Sequence, residues 1–230
     1  MLNYKYAYLV GVLLICFPPW LILFIRRKDL RKEILYMSIL GGLFGPFLEF
    51  FYVIDYWKPE LITFGKIGVE DILFGFFITG ISASIYEATF RRNFTLRKKR
   101  KYTTLFLILP LTILFFSFLA ILVFVLKINS VYSTIILFIA MTIVIILLRK
   151  DLIIDTFISG LLMGIFILLG YTLLLRIFPD MINKFWMLDN LSGWKLWNIP
   201  IEEYLWFFST GLVFGPLYEF LLNIRFKRQS

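Results

Sequence analysis

The sequence has no histidine and a single cysteine, Cys16, among its 230 residues. It therefore lacks the ligand sets of zinc and iron–sulfur sites, it cannot form an internal disulfide, and it has no imidazole base. No glycine-rich nucleotide fingerprint follows a strand-like run, so neither a flavin nor a nicotinamide site is predicted. We predict no metal and no cofactor, which leaves any acid–base chemistry to carboxylates.

Apolar side chains are abundant instead. Hydrophobic residues make up 60% of the chain and aromatic residues 20%, with a mean hydropathy of +0.87. A soluble domain is ~45–50% apolar, so this excess is too large for one small core. Runs long enough to cross a bilayer, ~20 residues, occur at 6–25, 34–54, 69–90, 103–126, 131–148, 152–175 and 200–224. We predict an all-α integral membrane protein with seven transmembrane helices.

The distribution of lysine and arginine predicts the orientation, because these residues are retained on the cytoplasmic side of a membrane. With the N-terminus outside and the C-terminus in the cytoplasm, 17 of the 24 basic residues are cytoplasmic: 26–28, 31, 32, 91, 92, 97–101, 149, 150, 225, 227 and 228. We predict a multi-pass protein of the cell membrane in this orientation. The run from 91 to 101 is interpreted as a topology anchor on anionic lipid, with partner binding as the alternative. The net charge of +9 then requires no nucleic-acid partner.

An internal repeat organises the chain. Residues 27–30 recur as 149–152, and residues 68–74 are echoed by 200–206. The pattern predicts two parallel three-helix repeats, at 1–101 and 130–230, joined by a connecting helix within 102–129. Parallel repeats are related by an axis along the membrane normal and share a site at their interface.

Pairs of small residues four positions apart occur in the predicted helices and predict that helix backbones approach closely there. They are Gly41 with Gly45, Gly160 with Gly164, and Gly211 with Gly215.

The acidic residues fall into groups. Four are expected to pair with basic turns: Asp29, Glu33, Asp151 and Asp155. Seven lie on predicted helices: Glu49, Glu70, Asp71, Glu87, Glu202, Glu203 and Glu219. A charge at membrane depth costs ~2.5–3.5 kcal/mol on insertion scales. The presence of seven carboxylates on predicted membrane helices therefore requires an explanation.

The adjacent pairs Glu70/Asp71 and Glu202/Glu203 stand in the first turn of their predicted helices. There the helix dipole favours the anion, whereas burial and the neighbouring carboxylate favour the neutral acid. Close carboxylates under these opposing effects can share a proton, so we predict that they handle protons. Simple capping of the helix N-terminus and a proton relay in a transporter are the alternatives.

Aromatic residues follow both pairs. Phe74 and Trp206 lie four residues after Glu70 and Glu202, on the same helix face. Aromatic faces attract cations, and a carbocation formed by protonating an alkene has few other means of stabilisation in an apolar pocket. Aromatic residues beside the acids are therefore candidates for substrate binding.

Two segments resemble the integral-membrane lycopene cyclases, which are built from two small similar subunits or from their fusion. Residues 198–208, NIPIEEYLWFF, carry the PxEE signature of that family. Asp55, Trp57 and residues 68–77, GVEDILFGFF, resemble the other half, although Gly68 stands where the second segment has Pro200.

The resemblance implies a redox-neutral, cofactor-independent cyclisation of an acyclic carotenoid end group, such as that of lycopene, to an ionone ring. The candidate catalytic residues are Glu70, Asp71, Glu202 and Glu203. The candidate substrate-binding residues are Glu49, Trp57, Phe74, Phe77, Trp206, Phe207 and Glu219. The expected partners are the carotenoid and the lipid bilayer. A proton-coupled transporter and a non-catalytic carotenoid-binding protein remain alternatives, and the sequence leaves open the ring type and whether the chain forms homo-oligomers.

Overall fold

The computed structural model describes residues 4–62, 67–90, 94–96 and 108–226. The basic residues at 91, 92, 97–101, 227 and 228 lie outside this part, so the proposed anchor is not described. The helices are α1 (Tyr4–Arg26), α2 (Arg31–Phe44), α3 (Pro46–Asp55), α4 (Val69–Phe90), α5 (Ile108–Val125), α6 (Ser130–Leu148), α7 (Lys150–Ile177), α8 (Met181–Phe185) and α9 (Ile201–Leu222). Two short antiparallel pairs join β1 (Phe94–Leu96) to β4 (Ile224–Phe226) and β2 (Lys195–Leu196) to β3 (Ile199–Pro200).

Six of the described helices are long and apolar enough to cross a membrane. A seventh crossing results if α2 and α3 form one span, bent by 46° between Phe44 and Pro46. Proline lacks the backbone N–H that would continue a helix and clashes with the preceding turn, so Pro46 permits a bend within the predicted 34–54 run. The chain is therefore an all-α integral membrane protein, as predicted.

Close glycine contacts join α2 to α4 and α7 to α9. A Cβ on Gly41 would lie 2.2 Å from the carbonyl oxygen of Gly75, and one on Gly211 would lie 2.5 Å from that of Ser159. Only glycine permits these backbone approaches, so the packing prediction is confirmed there. It is wrong for Gly164, where an added Cβ would meet nothing within 4 Å.

Two arginines fasten the ends of α4 and α9. Arg27, after α1, donates to the carbonyl oxygen of Glu87, and Arg149, after α6, donates to the carbonyl oxygen of Glu219 at 3.2 Å. These are corresponding positions of the predicted repeats. The division of the chain into repeats at 1–101 and 130–230 stays a prediction. Two repeats of the same fold should form such matching hydrogen bonds.

Only two of the four acids expected to pair with basic turns do so within the described part of the chain. Asp29 binds Arg27 at 2.6 Å and Asp151 binds Arg149 at 2.9 Å. The Arg27 hydrogen bond holds the pKa of Asp29 below its usual value. The other two, Glu33 and Asp155, are buried within the helix bundle instead, at 2% and 1% exposure.

Candidate active site

An apolar cavity of about 260 Å³ lies within the bundle and is lined by residues from each of helices α1 to α9. Hydrocarbon and aromatic side chains dominate its wall, which suits an apolar ligand. Three carboxylates line it: Glu49, Asp71 and Glu203. The connecting helix contributes Leu111 and Phe115, so α5 does more than join the two halves.

The two members of each acid pair point in different directions, because adjacent helical residues are about 100° apart around the axis. The first members bind loops rather than the cavity. Glu70 accepts a hydrogen bond from the backbone N–H of Ile62 at 2.8 Å. Glu202 accepts from the backbone N–H of Ser192 at 2.8 Å and from the Tyr132 hydroxyl at 2.6 Å. These two glutamates fasten the loops that precede α4 and α9.

The second member of the later pair, Glu203, faces the cavity and is 4% exposed. Its Oε1 accepts a hydrogen bond from Trp186 Nε1 at 2.7 Å, and its Oε2 accepts from the Tyr171 hydroxyl at 2.6 Å. Both donors come from outside α9, Tyr171 from α7 and Trp186 from the segment after α8. The carboxylate is thus held rigidly at the cavity wall.

Asp71, the second member of the earlier pair, is partly engaged in capping its own helix. Its Oδ2 accepts a hydrogen bond from the backbone N–H of Gly68 at 2.6 Å, the reach-back contact of a capping box. Glu203 has no such option, because the corresponding residue is Pro200, which has no N–H. The difference between Gly68 and Pro200 therefore leaves Glu203 free to engage the cavity donors.

Glu49 provides the third carboxylate and lies within electrostatic range of Asp71. Its Oε2 accepts a hydrogen bond from Trp57 Nε1 at 3.2 Å, while its buried Oε1 has no hydrogen-bond partner among the residues described. Trp57 in turn forms a backbone bridge with Trp186, with ring centroids 5.2 Å apart. The tryptophans connect the Glu49 and Glu203 sides of the cavity.

Aromatic rings form the adjoining wall. Phe74 stacks on Trp206 with centroids 6.0 Å apart, and Phe207 meets Trp206 edge-on at 4.9 Å. Trp206 Nε1 donates to the Tyr52 hydroxyl at 2.7 Å, which fixes its ring. All four residues line the cavity. Their faces can stabilise positive charge on a bound hydrocarbon.

The structure thus divides the predicted site residues. Those that line the cavity are Glu49, Trp57, Asp71, Phe74, Glu203, Trp206 and Phe207. Glu70 and Glu202 bind loops beside it. Phe77 packs against Trp20 at 5.6 Å, and Glu219 lies near the opposite end of α9; neither lines the cavity.

The hydrogen-bond donors to Glu203, Tyr171 and Trp186, were not predicted from the sequence. Trp186 lies 17 residues before Glu203 and outside the predicted helices, so no helical spacing connects it to the acid. Tyr171 sits in an apolar helix among mostly aliphatic residues, and no spacing links it to the acid pair. The sequence does contain one indication of its role, because Tyr171 places a hydroxyl at membrane depth on a helix that is mostly aliphatic around it.

Comparison with known proteins gives a match to a family model. The model of the family described as lycopene cyclase matches residues 129–221, the part that contains Tyr171, Trp186 and Glu203. No curated protein and no solved structure matches the chain. Over residues 129–221, this chain is therefore similar to the lycopene cyclase family, which supports assignment to that family.

Proposed function

We propose that this protein cyclises an acyclic end group of a carotenoid such as lycopene to an ionone ring, by carboxylate acid–base catalysis in the apolar cavity. The family match supports the reaction class. One observation carries the assignment of the site: Glu203 is a carboxylate held by two hydrogen-bond donors at the wall of a cavity otherwise lined by hydrocarbon and aromatic groups.

In this proposal Glu203 donates the proton. The electron pair of the terminal C=C bond forms a new C–H bond with that proton and leaves a tertiary carbocation. The carboxylate that remains is stabilised by Trp186 Nε1 and the Tyr171 hydroxyl, because hydrogen bonds to an ionised group are the strong ones. Donors placed where charge develops lower the barrier most effectively.

The carbocation is then attacked by a second C=C bond of the chain, which closes the ring and moves the charge to a ring carbon. Phe74 and Trp206 present their faces to this charge. Loss of a C–H proton restores a neutral alkene. Because one proton is added and one is lost, the carotenoid keeps its molecular formula, and the reaction needs no redox cofactor.

Glu49 and Asp71 accept the departing proton in this scheme. Glu49 Oε1 is buried and has no hydrogen-bond donor among the residues that the structure describes, so it has a lone pair available to a proton from the substrate. Asp71 lies within electrostatic range of Glu49 and also lines the cavity. The acid and the base thus come from opposite halves of the chain.

The adjacent glutamates supply a matched test in cells that accumulate lycopene. Glu203→Gln removes the proton donor, and we expect cyclic products to disappear from the pigment extract. Glu202→Gln is the control: the new amide oxygen can still accept from Ser192 and Tyr132, so rings should still form. Chromatography of extracted pigments measures the products, and a membrane immunoblot verifies equal protein levels.

Wild-type yields of cyclic carotenoid from the Glu203→Gln variant would overturn the assignment of the acid. Unchanged lycopene in cells that express the wild-type protein would overturn the proposed reaction. In that case, lycopene co-purifying with the protein would support the carotenoid-binding alternative.

A further inference from the structure

A second group of carboxylates lies away from the acid pairs, between α2, α4, α7 and α9. It consists of Glu33, Glu87, Asp155 and Glu219, one from each helix, and we call it the four-carboxylate cluster. Glu87 follows Asp71 by sixteen residues on α4, or about 24 Å at 1.5 Å per residue. The cluster is therefore a separate feature of the bundle.

The members of the cluster are buried and close together. None is more than 2% exposed. One carboxylate oxygen from each of Glu87, Asp155 and Glu219 lies within 4.8 Å of the other two. Glu33 lies within electrostatic range of both Asp155 and Glu219. Like charges at such distances repel strongly in a medium that screens them poorly.

Their oxygens are also unsatisfied. Both carboxylate oxygens of Glu33, Glu87 and Glu219 are buried and lack a hydrogen-bond partner within the described part of the chain. Asp155 Oδ1 accepts from the Ser159 hydroxyl at 3.0 Å, but its Oδ2 has no partner there. Buried polar atoms are normally paired, and each exception requires an explanation such as a bound ion.

The nearby arginines offer limited compensation. Arg27 and Arg149 are each paired with an aspartate of their own turn, Asp29 and Asp151. Arg27 also donates to the backbone carbonyl oxygen of Glu87 and lies within electrostatic range of the Glu33 carboxylate. Arg149 donates to the backbone carbonyl oxygen of Glu219 and lies within electrostatic range of its carboxylate. These two guanidinium groups bring two positive charges, which is fewer than the four carboxylates of the cluster.

We propose that the four-carboxylate cluster binds a hard divalent cation of the Mg²⁺, Ca²⁺ or Mn²⁺ class. Carboxylate oxygens are the ligands that these ions prefer. At metal–oxygen distances of about 2.0–2.6 Å, ligands on opposite sides of one ion are about 4–5 Å apart, which matches the spacing of Glu87, Asp155 and Glu219. The ion would join four helices, two from each half of the chain.

The cation also has a function in the fold. It replaces mutual repulsion by attraction at the point where α4 meets α9 and α7, so we expect it to stabilise the assembled bundle. A ligand that binds the folded state raises Tm with its concentration. This inference uses none of the residues assigned to cyclisation, so the two proposals can fail separately.

The test uses the full-length protein purified in detergent and treated with EDTA. Tm is measured as MgCl₂, CaCl₂ or MnCl₂ is added, and bound Mn²⁺ is counted by electron paramagnetic resonance. We expect at least one of the three salts to raise Tm, and about one Mn²⁺ to bind per chain.

Two substitutions and a control distinguish cation binding at the four-carboxylate cluster from non-specific effects of the salts. Glu87→Gln and Glu219→Gln each remove a ligand and one repelling charge. We expect them to raise Tm in EDTA and to abolish both the cation-induced shift and Mn²⁺ binding. Asp189→Asn, at an exposed loop carboxylate, should respond like the wild type.

The proposal is overturned if the wild-type protein binds no Mn²⁺ and its Tm does not change with any of the three salts. It is also overturned if the cation response of either cluster variant equals that of the wild type. If a cluster variant fails to fold, Ser159→Ala keeps the test decisive. Loss of the hydroxyl beside Asp155 should weaken Mn²⁺ binding while leaving all four carboxylates in place.

Discussion

At the scale of single residues, the two members of each acid pair lie in different environments. Glu70 and Glu202 accept hydrogen bonds from loop backbone, whereas Asp71 and Glu203 reach the cavity. The first member of each pair therefore binds a loop, and the second lies at the cavity wall, where we propose that the chemistry takes place. Function cannot be assigned to the pair as a unit.

Substitution of two tyrosines can test the different roles given to Glu202 and Glu203. Tyr171 donates to Glu203, and Tyr132 donates to Glu202. Tyr171→Phe removes a hydrogen bond to a charged group, worth about 1.5–3 kcal/mol. If that bond stabilises the carboxylate formed in the reaction, ring formation should slow by roughly one to two orders of magnitude.

Tyr132→Phe is the matched control, because it removes a hydroxyl from the acid that binds the loop. We expect near wild-type ring formation from it. The measurement is the initial rate of cyclic carotenoid formation in membranes supplied with lycopene. Equal rates for the two variants would contradict the roles given to Glu202 and Glu203.

The acid pairs were evident from sequence, since carboxylates in apolar helices are rare and costly. Which member faces the cavity was not evident, because the partners that decide it are distant in the chain. Glu202 accepts hydrogen bonds from Ser192 and Tyr132, whereas Glu203 accepts them from Trp186 and Tyr171. Local periodicity contains no information about such contacts.

At the scale of helices, glycine positions determine how closely the bundle packs. Gly211 of α9 lies directly on the backbone of α7 at Ser159, but Gly164 of α7 faces open space. Both belong to small-residue pairs of the same spacing. The pattern identifies residues that could permit close packing, and the partner helix decides which of them do.

This contrast predicts different outcomes for two similar substitutions. Gly211→Leu forces atoms into the carbonyl oxygen of Ser159 and should destabilise the folded protein by about 1–3 kcal/mol, as overpacking does. Gly164→Leu should leave Tm close to that of the wild type, because nothing lies within 4 Å of an added Cβ. Thermal unfolding of both variants in detergent measures the difference. Similar losses of Tm would show that the interface between α7 and α9 does not depend on Gly211.

Helix breaks show the same dependence on context. The Gly-Pro step at Gly45–Pro46 divides α2 from α3 with a 46° bend, whereas the same step at Gly215–Pro216 lies inside the continuous helix α9. Gly215 packs tightly against Ser159. Seven apolar runs could therefore be predicted from composition, but the bend could not be predicted from the motif alone.

At the scale of the whole molecule, the bundle has two chemically distinct ends. One end holds the acid pairs and the cavity carboxylates. The other holds the four-carboxylate cluster and the turns of Arg27 and Arg149. Corresponding residues of the two halves contribute to both ends, which is the arrangement expected of parallel repeats.

The distribution of basic residues predicts which end faces the cytoplasm. Lys and Arg near the ends of spans are retained there, so the turn that contains Lys28 should be inside and the loop that contains Trp194 outside. Both residues are exposed, Trp194 at 76%, so cysteine at either position should react with a water-soluble reagent. Native Cys16 is 4% exposed and should contribute little background.

We therefore expect a membrane-impermeant maleimide to label Trp194→Cys in intact cells, and to label Lys28→Cys only after the membrane is permeabilised. The wild-type chain, with Cys16 alone, measures the background in both conditions. The reverse pattern would place the acid pairs at the cytoplasmic end. Because that orientation would put most of the lysines and arginines outside, against the retention rule, it would also require a different explanation for the positive charge of this chain.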